Sequence, residues 1–160
     1  MATITKKRLQ DANNFAAECG NAVVQRYNLT TNSSGAALFS DSTSAIGNGD
    51  KVRIGILPAG LCIDDALAIV SDAFTALVTA DIGFEYVDGV DSTDVPQDAD
   101  YYFGAAFTLH TAGRYPAKNT AVRPLTLPKD AYLIVTTGGA ANAAVGILDV
   151  VVRGEMVGVA

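Results

Sequence analysis

Apolar and polar residues alternate most cleanly near the C-terminus. Leu148, Val150 and Val152 point one way while Asp149, Val151 and Arg153 point the other. That period of two belongs to a strand with one face on a core and one partly wet. The same period holds where Val52, Ile54 and Ile56 alternate with Lys51, Arg53 and Gly55. Leu57-Pro58-Ala59-Gly60 breaks that run, because proline cannot donate to a ladder and glycine permits a tight turn. Further strands are expected over 22–29, 61–70, 73–85, 101–110 and 131–137, with a short segment at Leu125-Thr126-Leu127 between Pro124 and Pro128. The stretch 66–78 also fits a helix, which its alanines favour. The β-branched and aromatic residues on either side favour strand.

Between these runs lie turns and loops. Residues 30–50 are rich in Ser, Thr, Asn and Gly, which loosen regular ladders. They read as a long polar loop with one short strand near 37–39. Loops of that length in a compact domain tend to be functional or covered by a partner. Residues 88–100 form an acidic loop and 113–119 a turn region. Residues 1–21 read as an N-terminal arm. Leu9, Ala12 and Ala16 stand at helical spacing there, but the apolar stripe is thin and Asn13-Asn14 weakens it. Roughly seven or eight short strands with turns between them predict an all-β domain, an antiparallel β-sandwich or jelly roll over 22–160, behind that extended arm.

Composition narrows what such a domain does. The chain has 160 residues, of which 49% are hydrophobic and only 18% charged, against about 25% charged in an average chain. That shortfall suggests a surface partly covered by another subunit. The net charge of −6 argues against direct nucleic-acid binding, which needs a basic face to displace counterions. Lys6, Lys7 and Arg8 form the one run of consecutive cations, and it falls in the arm. No apolar run is long enough to cross a bilayer as a helix, and none near the start resembles a secretory leader. A soluble protein made in a cytoplasm is therefore expected. Cys19 and Cys62 are far apart and neither has a second cysteine at metal or redox spacing. Free thiols are the favoured reading, with a disulfide between them left open.

Candidate chemistry is sparse. His110 is the sole histidine and no serine sits in a Gly-x-Ser-x-Gly elbow, so a hydrolytic triad has no parts. One histidine and two separated cysteines do not build a structural zinc site. Gly47-Asn48-Gly49 lacks the third glycine of a dinucleotide fingerprint and precedes a strand, so it reads as a turn. Asp81, Glu85, Asp88, Asp91, Asp94, Asp98 and Asp100 fall within twenty residues. Calcium takes carboxylates from such loops, but the ligand order of an EF-hand is absent, and a solvated acidic loop is the simpler reading. Whether 81–100 binds calcium stays open. No catalytic residue, no resident metal and no cofactor is expected, and the chain is not read as an enzyme.

From about Gly49 onward the chain resembles tailed-phage capsid decoration, or cement, proteins. The phrases that carry this are Asp50-Lys51-Val52-Arg53-Ile54-Gly55-Ile56-Leu57-Pro58-Ala59-Gly60, Ile82-Gly83-Phe84, Asp98-Ala99-Asp100-Tyr101-Tyr102-Phe103 and Leu127-Pro128-Lys129-Asp130-Ala131. The resemblance implies a jelly-roll-like sandwich on the outer surface of a virion, made in the host cytoplasm. It implies a homo-oligomer, dimer or trimer, that clamps neighbouring major capsid subunits. With that partner in view, the arm supplies Lys6, Lys7 and Arg8 as charged anchors and Ile4, Leu9 and Phe15 as apolar ones. The alternative is another virion β-sandwich: a head-fibre base, a tail-associated protein or a host-surface binding module. For a host-surface module, Tyr101, Tyr102 and Phe103 are the candidate exposed aromatics, although alternation would bury at least one.

Overall fold

Ten strands build two facing sheets in a computed structural model that describes residues 1–11 and 21–158, with side chains described for 1–6 and 21–158. One sheet has the order β1–β3–β9–β5–β6, formed by Thr3–Asp11, Lys51–Leu57, Ala131–Gly138, Thr79–Tyr86 and Phe107–Thr108. The other has the order β2–β10–β4–β7, formed by Ala22–Thr30, Ile147–Met156, Leu61–Asp72 and Gly113–Pro116, with β8 (Leu125–Thr126) also pairing β4. The chain is an all-β sandwich, and every described pairing is antiparallel except β1 with β3. From β2 to β5 each strand crosses to the opposite sheet, as β9 does on passing to β10. The core is therefore closed by loops at both ends of the sandwich.

Alternation explains most of the strands. β10 runs beside β2 from Ile147↔Thr30 to Glu155↔Ala22 and beside β4 on its other edge. Leu148, Val150 and Val152 are buried in the core, as their period predicts. Residues 66–72, the first half of the ambiguous stretch, belong to β4 and not to a helix. A bulge opposite Arg153 and Gly154 places Asp64 and Asp65 both outward. Leu61 and Ile63 point inward before it, and Ala66, Ala68 and Val70 after it. The shift in parity blurs the period of two, which is what a bulge does to a sequence pattern.

Other expectations need correcting. The strand expected over 73–85 begins only at Thr79. Residues 73–78 form a turn in which Val78 N–H donates to the Thr75 carbonyl and Phe74 N–H to that of Leu109. The strand expected over 101–110 is mostly turn, with Phe107–Thr108 as its one ladder. Conversely, the turn region at 113–119 contains β7. Residues 37–39 form no strand, although isolated bridges join Thr31 to Ala37 and Ala36 to Ala45. Within the arm, Thr3–Asp11 is a strand, so Leu9 is not helical; Ala12 and Ala16 lie outside the described residues.

Two glycines let layers approach. A Cβ on Gly55 would lie 2.0 Å from the Tyr27 ring, and Tyr27 Oη donates to the Ile56 carbonyl at 2.9 Å. This fastens β2 of one sheet across β3 of the other. At Gly83 a Cβ would lie 2.0 Å from the Asp98 carbonyl oxygen. The bare backbone there admits residues 98–102, with Phe84 N–H donating to Asp98 O and Tyr102 N–H to Ile82 O.

Candidate functional site

The arm supplies its anchors in two different settings. Ile4, on β1, faces inward and is 2% exposed, with β1 held in register by Thr3↔Lys51, Ile4↔Val52 and Thr5↔Arg53. Lys6 Nζ donates to the Asn28 carbonyl on β2, bridging the edge strands of the two sheets. Burial lowers the Lys6 pKa, while the nearby Asp149 carboxylate works in the opposite direction. Lys7, Arg8 and Leu9 lie on β1 with side chains outside the described set, and Phe15 lies outside the described residues altogether. Ile4 and Lys6 are thus brought to one edge of the sandwich.

That edge is capped by the polar loop. Thr5 N–H donates to Asp41 Oδ1 at 3.0 Å and Asp41 N–H donates back to the Thr5 carbonyl at 2.9 Å. Asp41 so stands in for a ladder partner on an edge strand, where open groups invite unwanted pairing. The loop is folded onto the body, with Ala36, Ala37, Ile46, Thr31 and Ser40 buried. Its fastening is Asn142, a buried side chain that sequence reading did not single out. Asn142 Nδ2 donates to Thr31 Oγ1 at 3.0 Å and to the Ala144 carbonyl at 2.9 Å. Its Oδ1 accepts from Thr75 N–H at 3.1 Å and Thr75 Oγ1 at 3.0 Å. Three loops are locked to one amide.

Most of the acidic residues are engaged in local bonds. Asp88 pairs with Lys129 at 2.8 Å, and that bond holds its carboxyl below the usual range. Asp91 Oδ1 accepts from the Ser92 and Gln97 amides, and Asp81 Oδ1 from Ala106 N–H. Asp98 Oδ1 accepts from Asp100 N–H. A hydrogen bond between the side chains of Asp98 and Asp100, followed by desolvation, raises the Asp100 pKa. Among the described residues no three His, Cys, Asp or Glu side chains converge as metal ligands do. A cleft of about 970 Å³ opens between residues 94–98 and 120–126, and Tyr101 Oη in its wall donates to the Arg123 carbonyl at 2.7 Å. Burial pushes the Tyr101 phenol up to about 12, so it stays protonated as that donor.

His110 Nδ1 lies 3.1 Å from the Val78 carbonyl, which suits a donated hydrogen bond that braces a turn. Cys62 Sγ is 3.8 Å from Asp64 Oδ1; Cys19 lies outside the described residues, and so does any pairing with it. Tyr101, Tyr102 and Phe103 are all buried. They belong to an aromatic chain that runs by ring contacts of 4.9–6.3 Å from Tyr86 through Phe84 to Phe107 and Tyr115. It joins β5 of one sheet to β7 of the other, and leaves these three rings unavailable as an exposed platform.

Glu85 on β5 binds both Lys51 and Arg53 of β3, two strands away, with Arg53 Nε at 2.8 Å. Between them Tyr132 of β9 lies under the Arg53 guanidinium, 4.4 Å from its ring centre. Burial alone would raise the Glu85 pKa, but the hydrogen bonds and charges of the two cations outweigh it and hold the carboxyl low. The folded state therefore binds this proton less tightly than the unfolded chain. Its contribution is full above the ordinary glutamate range and is lost as pH falls through the depressed value. Glu85→Gln is expected to cost about 1–2 kcal/mol at neutral pH. Urea midpoints of the two proteins should converge on acidification.

No protein-family profile matches the sequence, and no curated protein does. Solved structures do. A chain in the capsid of Ralstonia phage GP4 superposes with a TM-score of 0.64 at 16% identity, covering 97% of this chain and 98% of that one. A chain in the capsid asymmetric unit of cyanophage Pam1 gives 0.56 at 16% identity, with 89% and 91% covered. The fold is one found in phage capsids. The match runs over nearly the whole of this chain and of the chain in the Ralstonia phage GP4 capsid.

Proposed function

We propose that this chain is a structural virion protein that decorates a phage capsid from its outer surface, clamping neighbouring major capsid subunits, and that it works as a homo-oligomer. The observation that carries the reading is the near end-to-end likeness to chains of two phage capsids. The ordered phrases resembling decoration proteins support the finer role. Most of the acidic side chains and His110 serve local bonds, and no catalytic step is assigned to them.

The capsid contact is proposed to run along the arm, residues 1–21, ahead of the sandwich at 22–160. Lys6, Lys7 and Arg8 are its cations, and Ile4, Leu9 and Phe15 its apolar members. Ile4 and Lys6 already have partners inside the chain, so they act by fixing where β1 presents Lys7, Arg8 and Leu9. Many copies on a repeated surface make modest individual contacts sufficient. Deleting residues 2–17 would remove β1 from its sheet and Ile4 from the core, so charge reversal is the cleaner test. Lys7→Glu with Arg8→Glu is expected to lower occupancy on purified particles about tenfold or more while the melting temperature stays close to that of the unaltered chain. Undiminished occupancy, measured by sedimentation with particles, would remove the arm from the contact.

A further inference from the structure

The turn Gly47-Asn48-Gly49 holds the single Asn-Gly step in the chain. Asp50 N–H closes it on the Gly47 carbonyl at 3.3 Å, and Gly49 has a φ of +84°, the left-handed value that a type II turn takes at its third residue. Asn48 is exposed. A Cβ built on Gly49 would meet nothing within 4 Å. The Gly49 amide nitrogen thus has no side chain of its own to shield it, and open space beside it.

What holds that nitrogen is the end of β9. Gly49 N–H donates to the Thr137 carbonyl at 2.7 Å, and Thr137 N–H donates to the Asp50 carbonyl at 2.8 Å. Thr137 is buried, and its Oγ1 lies 2.7 Å from the Gly47 carbonyl and 3.0 Å from that of Asp50. A nitrogen whose proton is held by a carbonyl is a poor nucleophile, because attack needs that proton removed. The same turn fastens the place where β1 begins. Asp50 Oδ2 accepts from Gly47 N–H at 2.8 Å while its Oδ1 accepts from Ala2 N–H at 2.7 Å. Lys51 N–H then donates to the Ala2 carbonyl at 2.9 Å.

We propose that Asn48-Gly49 is a self-modification site, restrained by the Thr137 clasp, whose conversion loosens the start of β1. When the clasp opens, the Gly49 nitrogen loses its proton to solvent base and attacks Asn48 Cγ, its near neighbour. A nitrogen–carbon bond forms, the Cγ–Nδ2 bond breaks, and the amide nitrogen leaves as ammonia with a proton from water. A water molecule then opens the cyclic imide at either carbonyl, giving aspartate or isoaspartate at position 48. Either product sets a new carboxylate beside that of Asp50, and like charges repel. Isoaspartate also lengthens the backbone of the turn by a methylene. Both changes draw Asp50 away from Ala2 N–H. Any effect on capsid occupancy rests on the proposed arm contact; the modification itself does not.

The test is peptide mass spectrometry of the purified full-length chain, aged in mildly alkaline buffer beside the same chain unfolded in urea. Conversion at Asn48 should run at least about tenfold slower in the folded chain, since only its opened fraction reacts. Thr137→Val keeps the shape but removes the hydroxyl, and should speed conversion about tenfold. Asn48→Gln should abolish it. Hydrogen exchange gives the second readout: converted chain should lose protection at Lys51 N–H, while aged Asn48→Gln keeps it. Equal rates in the folded and unfolded chains, a folded Thr137→Val chain that converts no faster, or unchanged Lys51 protection after conversion each overturn the proposal. Should Thr137→Val fail to fold, the ratio of folded to unfolded rates in the unaltered chain decides. Undiminished particle occupancy of converted chain whose Lys51 protection is lost would count against the arm contact alone.

Discussion

Asn142→Ala is expected to lower stability by about 3–5 kcal/mol, because it removes four hydrogen bonds and leaves Thr75 N–H without its acceptor. Thr75 N–H and Oγ1 lose their acceptor, while Thr31 Oγ1 and the Ala144 carbonyl lose a donor. Each buried group left unpaired costs about 1–3 kcal/mol, and the losses within one network do not simply add. For a chain of this size that corresponds to a fall in melting temperature of roughly 10 °C. Hydrogen exchange should show where the loss falls: amides of loops 31–49, 73–78 and 139–146 should open first, while β10 stays protected. Uniform loss of protection would mean that Asn142 is not a local latch.

Gly83→Ala should be comparably costly for a different reason. The added Cβ would meet the Asp98 carbonyl at 2.0 Å and the Ala99 carbonyl carbon at 2.5 Å. Both are backbone atoms, so no side chain can swing aside. The segment 98–102 must lift from β5, which breaks the bonds from Phe84 N–H to Asp98 O and from Tyr102 N–H to Ile82 O. Tyr101, Tyr102 and Phe103 would lose their places in the aromatic chain. A loss on the order of 3–4 kcal/mol is expected, as for overpacking combined with a displaced core segment. Near-ultraviolet dichroism should weaken as the tyrosines lose their fixed surroundings, with far-ultraviolet strand signal kept. Gly89→Ala is the matched control: nothing lies within 4 Å of its Cβ position, although its φ of +71° carries a smaller strain.

How much of this was legible in the sequence follows from periodicity. β10 could be read because one face meets the core without interruption along most of its length, and β3 as far as Ile54; a register shift between Arg53 and Gly55 then turns Leu57 inward and leaves Ile56, expected on the same face as Val52 and Ile54, half-buried. β4 was hard to read because the bulge at Asp64 and Asp65 shifts its parity, so that inward residues sit at 61 and 63, then at 66, 68 and 70. Residues 101–103 read as strand because three consecutive aromatics suggest a ladder. They are buried on a turn instead, by tertiary contact over Gly83, which local pattern does not encode. The arm held one signal that was passed over: Thr3-Ile4-Thr5 is β-branched and alternating, and its partner β3 lies in parallel some fifty residues on, at Lys51.

The candidate site was legible in composition more than in pattern. Few charges and the basic run Lys6-Lys7-Arg8 are the features on which the proposed contact rests, but Asn142 lay hidden in Ala140-Ala141-Asn142-Ala143-Ala144 as one more loop residue. An amide flanked by small apolar residues is a weak signal, and its role appears only when three loops converge.

The central claim is that this protein covers a capsid in many copies, and counting copies tests it most directly. Quantitative mass spectrometry of gradient-purified particles should find the chain in a fixed ratio to the major capsid protein, on the order of the number of capsid subunits or a simple fraction of it. Absence from the particles, or a handful of copies as expected of a tail or head-fibre component, would contradict the account.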